Sequence, residues 1–117
     1  MSATFKKFEL GVLRVLLPPI PNPDEVRRLA RESTVLSYEY TGCGCFLSIR
    51  HPNLPTARTV FSEPTVMGHA LGVDCGFVVF IQDGELTLEC HPWAIDVPER
   101  FRDEDVELTV ASLDLPP

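Results

Sequence analysis

From Phe5 to Leu17 the residues Phe5, Phe8, Val12, Val15 and Leu16 recur near helical spacing, while Lys6, Lys7, Glu9 and Arg14 fall mostly on other faces. This spacing predicts a helix, although Gly11 in its middle costs about 1 kcal/mol relative to alanine. Pro18-Pro19-Ile20-Pro21 must stop it, because proline lacks the backbone donor and clashes with the preceding turn. Asn22-Pro23-Asp24-Glu25 then reads as a second helix start. Asn22 caps, Pro23 suits the first helical position, and the two acids face the positive end of the dipole. That helix is expected to run to Glu32, with Val26, Leu29 and Ala30 inward and Arg27, Arg28 and Arg31 forming a solvated face.

At Val35 the period changes from helical to two. Leu36, Tyr38 and Tyr40 alternate with Ser37, Glu39 and Thr41, the chain turns at Gly42 to Gly44, and Cys45, Leu47 and Ile49 alternate with Phe46, Ser48 and Arg50. His51-Pro52-Asn53-Leu54-Pro55 ends this hairpin. A short strand is expected within 58–67, and a loop from Met67 to Gly76. The clearest element follows. Phe77–Gln82 and Glu85–His91 flank Asp83-Gly84, a strong two-residue hairpin signal. Such a turn pairs Phe77 with Cys90, Val79 with Leu88 and Ile81 with Leu86, and puts all six on one face, the predicted core face. Val78, Phe80 and Gln82 share the other face with Glu85, Thr87, Glu89 and His91. A last strand is expected over Val106–Leu113. Helices first and strands afterwards predict a single α+β domain over 1–117: two N-terminal helices packed on one face of an antiparallel sheet of about five strands.

Charge sharpens the picture. Residues 1–58 hold eight Lys/Arg against five Asp/Glu, while residues 59–117 hold two against twelve. An acidic half of this kind repels phosphate backbones, which excludes nucleic acid as its partner, and it speeds encounter with basic proteins. Solubility alone is the plainer explanation of the same charge. The run Asp103-Glu104-Asp105 with Glu107 is the candidate partner-binding surface, since four carboxylates in five residues cannot all be buried without partners. No apolar run reaches the ~20 residues of a membrane span, and the start shows no secretory pattern, so a cytoplasmic protein is expected. At 117 residues and 44% hydrophobic composition, the chain can bury a core without disulfides or a metal.

The four cysteines are therefore expected to be reduced. A zinc site would need Cys43 and Cys45 with two of Cys75, Cys90, His51, His69 and His91, but one C-x-C is a poor match to the paired knuckles of structural zinc. No cofactor is expected. Tyr40-Thr41-Gly42-Cys43-Gly44-Cys45 lacks the lysine and following helix of a phosphate loop. A Cys75 nucleophile with His69 or His91 is disfavoured, because the hairpin register points Cys75 inward. Glu89 and His91 share one strand face and form one alternative, an acid–base pair of a small enzyme; a small-molecule or zinc-binding module around Cys43 and Cys45 is the other. Trp93 could cover the sheet end or anchor a partner, and core packing is the expected role.

Tyr40-Thr41-Gly42-x-Gly44-x-Phe46, followed by Gly76-Phe77-x-x-Phe80-Ile81-x-Asp83-Gly84-x-x-x-x-Glu89, resembles a set of small, uncharacterised bacterial proteins carrying Y-T-G-x-G-F-F and G-F-x-L-F-I-x-D-G-x-x-x-x-L-E. The resemblance covers about residues 35–93 and consists of turn and strand signatures. In size and acidity those proteins are similar to the immunity proteins that accompany bacterial toxins. Positions 43 and 45 are not cysteine in that pattern. Together with the acidic C-terminal half and the absence of a catalytic constellation, the resemblance points to a non-enzymatic, immunity-like binding protein whose partner is a basic protein, and it carries no catalytic residue.

Overall fold

Asp83 and Gly84 both adopt positive φ, 56° and 77°, as a two-residue hairpin turn with the native strand twist requires. The turn sets the register of strands β5 (Val73–Gln82) and β6 (Glu85–Pro92), which pair Phe77 with Cys90, Val79 with Leu88 and Ile81 with Leu86. All six side chains are buried. The predicted register and core face both hold.

The computed structural model describes residues 5–16, Arg28, 31–32, 34–52, Leu54, 56–62 and 65–111. Its other elements are α1 (Lys7–Leu16), β1 (Thr34–Tyr40), β2 (Cys45–Arg50), β3 (Thr59–Phe61), β4 (Thr65–Ala70), a 3₁₀ helix (Glu99–Asp103) and β7 (Glu107–Ala111). The strands form one antiparallel sheet in the order β1-β2-β6-β5-β4-β7, with β3 also paired to β5. Ten-residue β5 is long enough to hold two partners along one side. β4 pairs with its first half, Val73–Gly76, and β3 with Val79–Ile81.

The expectation of two helices on a sheet of about five strands is corrected by this architecture. Among the described residues one helix has seven or more residues, and the sheet has seven strands. The second predicted helix falls mostly outside the described residues, of which Arg28, Arg31 and Glu32 are helical. The extra strands come from the segment expected to be a loop. Thr65–Ala70 and Val73–Gln82 form a hairpin through Leu71 and Gly72, both at positive φ (56° and 73°). Leucine is a poor residue for that conformation, so the turn carried no recognisable signature. Of the predicted last strand Val106–Leu113, β7 covers Glu107–Ala111, Val106 precedes it, and 112–113 lie outside the described residues.

One face of the sheet carries the core. Phe8, Val12, Leu13 and Leu16 of α1 pack there against Leu47, Ile49, Val66, Phe77, Val79 and Leu88, joined by Phe5, Val97, Phe101 and Val106. At Gly11 α1 packs closely on β7, where a Cβ would stand 2.8 Å from Leu108 Cδ1. The helix-propensity loss at this glycine is offset by tight packing.

Candidate functional site

The core side of the sheet gathers a buried polar cluster. Glu9 is the third residue of α1, and its carboxylate reaches back to accept the Lys6 backbone N–H at 2.7 Å, one half of a capping box. The same carboxylate accepts both Arg102 Nε at 2.7 Å and Arg102 Nη2 at 3.0 Å. Arg102 comes from the 3₁₀ helix, which Phe101 anchors in the core, edge-on to Phe8. Its guanidinium lies 4.7 Å from the centroid of the Tyr38 ring. Tyr38 sits opposite Leu47 on β1, and Tyr40, two residues on, donates its hydroxyl to the Val97 carbonyl at 2.6 Å. The 93–106 segment is thereby tied across the open end of the sheet.

Cys45 and Cys90 are directly opposed on β2 and β6 and line a small cavity under this cluster, with Phe8, Tyr38 and Arg102. The Cys90 thiol and the Tyr38 hydroxyl neighbour Cys45. They hold the Cys45 thiol below its ordinary range, against the opposite pull of burial. Cys90 is pushed up by the neighbouring Cys45 and Cys75 thiols and by burial. Burial, with the adjacent Cys45, pushes the Tyr38 phenol up as well. The four cysteines are free thiols.

The opposite face of the sheet is different in kind. Phe46, Val78, Phe80 and Met67 are only half-buried there, and Val60 is exposed. By register the same face carries Glu39, Asp74, Glu85, Glu89 and Glu107. Arg50, the one arginine that the described strands place there, is paired with Glu85 at 2.7 Å, and His69 with Asp74 at 2.7 Å. Trp93, expected to pack in the core, is 52% exposed. Its indole and His91 lie over Gly76, where a Cβ would meet His91 Nε2 at 2.5 Å and Trp93 Nε1 at 2.6 Å.

The predicted partner-binding residues are all exposed but divided between the two sides. Asp103 stands by Lys6 at 3.6 Å, on the helix side, and Glu104 and Asp105 follow it. Glu107 pairs with His69 and belongs to the opposite face. Glu89 and His91 share that face as expected, but among the described residues neither makes a hydrogen bond or ion pair. Of the zinc candidates Cys45, Cys75 and Cys90 lie on neighbouring strands, and the others are apart. Cys43 lies in the β1–β2 turn beside Thr41, His51 is buried against Glu32, and His69 is across the sheet from Cys45. Among the described residues no group of three side chains could hold a metal ion, and no helix is long and apolar enough to cross a membrane.

No family model, curated protein or solved structure matches the chain.

Sequence reasoning missed the Glu9–Arg102 pair. Glu9 at the third helical position is a readable capping signal, but its ionic partner is 93 residues away and no local pattern connects them. The convergence of Cys45 on Cys90 was also missed. The hairpin of β5 and β6 was legible, whereas the pairing of β2 with β6 is a long-range choice.

Proposed function

We propose that this is a non-enzymatic, cytoplasmic binding protein that holds a basic protein partner, an immunity-like role. The reading is carried by the sheet face opposite the core, a half-buried apolar centre of Phe46, Val78, Phe80 and Met67 with five carboxylates around it among the described residues. Apolar surface of this kind favours a partner that buries it, and the carboxylates select a cationic one. They also oppose nucleic acid, and they oppose the stacking of two identical acidic faces. Asp103, Glu104 and Asp105 extend the negative field around the sheet edge to Glu107, so this run steers the encounter. The likeness to small, acidic, immunity-like bacterial proteins supports the same assignment. In this reading Glu89 and His91 belong to the rim of the interface.

The test uses the product of the reading frame adjacent to this gene, with association measured at low and high salt. Neutralising Asp103, Glu104, Asp105 and Glu107 together slows association at low salt and has little effect at high salt. Phe80→Ser, on the apolar centre, speeds dissociation instead. Unchanged rates in both variants reject the proposal. Self-association abolished by Phe80→Ser would assign the face to a second copy of the chain and also overturn it.

A further inference from the structure

Three of the four cysteines meet on the core side of the sheet. Cys45 and Cys90 are direct cross-strand partners, and Cys75 is one diagonal step from Cys90 on β5. Cys75 and Cys90 are buried, at 0% and 5% exposure, while Cys45 is half-buried and is the member nearest solvent. The cavity that Cys45 and Cys90 share measures about 10 Å³, room for about one water molecule. It is too small for a peptide disulfide, so a small oxidant reacts at the half-buried Cys45 and not at the buried Cys75 or Cys90.

The pairing class follows from the hairpin. In a two-residue turn Gln82 and Glu85 exchange backbone hydrogen bonds, and alternation along β6 then points the N–H and C=O of Cys90 away from β5, toward β2. Cys45 and Cys90 are therefore a hydrogen-bonded pair, with Cα atoms about 5.5 Å apart. That Cα separation lies within the span of a disulfide, and the Cβ atoms, about 5 Å apart in such a pair, must close by about 1 Å for the two sulfurs to bond.

We propose that Cys45 and Cys90 form a reversible redox pair, in which a small peroxide oxidises Cys45 and Cys90 closes a disulfide between β2 and β6. The Cys45 sulfur attacks one peroxide oxygen, the O–O bond breaks, and Cys45 becomes a sulfenic acid as one water leaves. The Cys90 sulfur then attacks the Cys45 sulfur and the S–O bond breaks. The departing hydroxide takes the Cys90 proton and leaves as the second water. Two thiols are oxidised to one disulfide, and the peroxide is reduced to two waters. A dithiol reductant reverses the step by thiol–disulfide exchange. The division of labour follows from the surroundings of each sulfur. Cys45 is the half-buried member of the pair, and its neighbours Cys90, Tyr38 and the Arg102 cation favour its thiolate over the opposing effects of burial and Glu9. Cys90 is buried between Cys45 and Cys75, which keeps it protonated. Cys43, in the neighbouring turn, faces Thr41 and takes no part.

The experiment treats the reduced, full-length protein with hydrogen peroxide in small excess, counts thiols, and maps disulfides by peptide mass. Two thiols are lost, a Cys45–Cys90 cross-linked peptide appears, and a dithiol reductant restores both thiols. Cys43→Ser leaves the cross-link intact, and Cys45→Ser slows thiol loss about tenfold or more. Cys90→Ser leaves Cys45 as a sulfenic acid that a cyclic diketone captures. Retention of four thiols under conditions that oxidise free cysteine would overturn the proposal. So would a bridge through Cys43, or an unchanged rate in Cys45→Ser. The mapping on the unsubstituted chain decides the matter even if a variant fails to fold.

Discussion

Replacing Arg102 with alanine strands the Glu9 carboxylate, which is only 4% exposed in its side chain while Arg102 is 19% exposed. Glu9 then keeps one of its three hydrogen bonds, that from the Lys6 N–H. Breaking a buried pair by removing one partner costs ~3–5 kcal/mol, because the remaining charge has neither water nor a counter-ion. Loss of the Tyr38 ring contact adds ~0.5–2 kcal/mol. A 117-residue chain at ~0.05–0.15 kcal/mol per residue has ~6–18 kcal/mol in total, so the substitution removes a large share of it. In urea, with a slope of ~2 kcal/mol per molar, a 4 kcal/mol loss moves the midpoint down by ~2 M. Asp103→Ala is the control, since its pair with Lys6 is exposed and is worth ~0–1 kcal/mol. Replacing Glu9 and Arg102 together with leucine leaves no stranded charge, so the double variant is less destabilised than Arg102→Ala. A cost below ~1 kcal/mol for Arg102→Ala, or a double variant as unstable as the sum of its singles, would refute this reasoning.

Leu88→Ala, at a 3% exposed position between Leu47 and Val79, is expected to cost ~2–5 kcal/mol by denaturant titration, with an unchanged slope. Gly44→Ala drives a Cβ into the Cys90 backbone carbonyl and is expected to disrupt the pairing of β2 with β6, whereas Gly76→Ala meets only the movable ends of His91 and Trp93. Near-ultraviolet circular dichroism and Trp93 fluorescence separate the two, with lost tertiary signal in the first and a shifted indole spectrum without unfolding in the second. Tyr38 keeps its proton in the fold past the pH of about 10 at which free phenols ionise. Above that pH the unfolded chain binds fewer protons than the native one, so stability falls as pH rises, and Tyr38→Phe makes that fall shallower. Thermal midpoints measured across the alkaline range check this.

Local chemistry was legible wherever it was strong. Asp83-Gly84 demanded positive φ at both residues, and that constraint carried the register from Phe77 opposite Cys90 to Ile81 opposite Leu86. The helix at Lys7–Leu16 followed from its apolar spacing, although Leu13 proved as deeply buried as Val12. The segment 65–76 was not legible. Gly68 and Gly76 break its strand pattern, and each is small because something else occupies its Cβ position. Over Gly68 these are the Phe77 ring and Val106, and over Gly76 His91 and Trp93. Those neighbours are set by tertiary packing, so the glycines looked like loop residues until the sheet was assembled. The candidate interface was legible as charge but not as shape. Strand alternation, not sequence proximity, put Glu107 with Asp74 on one face and Asp103 on the other.

The two tight turns at Leu71-Gly72 and Asp83-Gly84 bear on the order in which the chain folds. They make β4, β5 and β6 a continuous meander whose contacts close over short stretches of chain. Pairing β2 with β6 must instead bring Arg50 to Glu85, and pairing β4 with β7 must bring Thr65 to Ala111. Loop-closure entropy rises with the length enclosed, so the meander is the least costly nucleus, and the flanking strands condense on it afterwards. By this hypothesis Val79→Ala slows folding, while Ile49→Val acts mostly on the unfolding rate. Stopped-flow chevrons showing the reverse would move the nucleus to the β2–β6 seam. If the meander forms first, the hydrophobic surface of Phe77, Val79 and Leu88 stays open to water until α1 docks, and that interval is when the chain is most prone to aggregate.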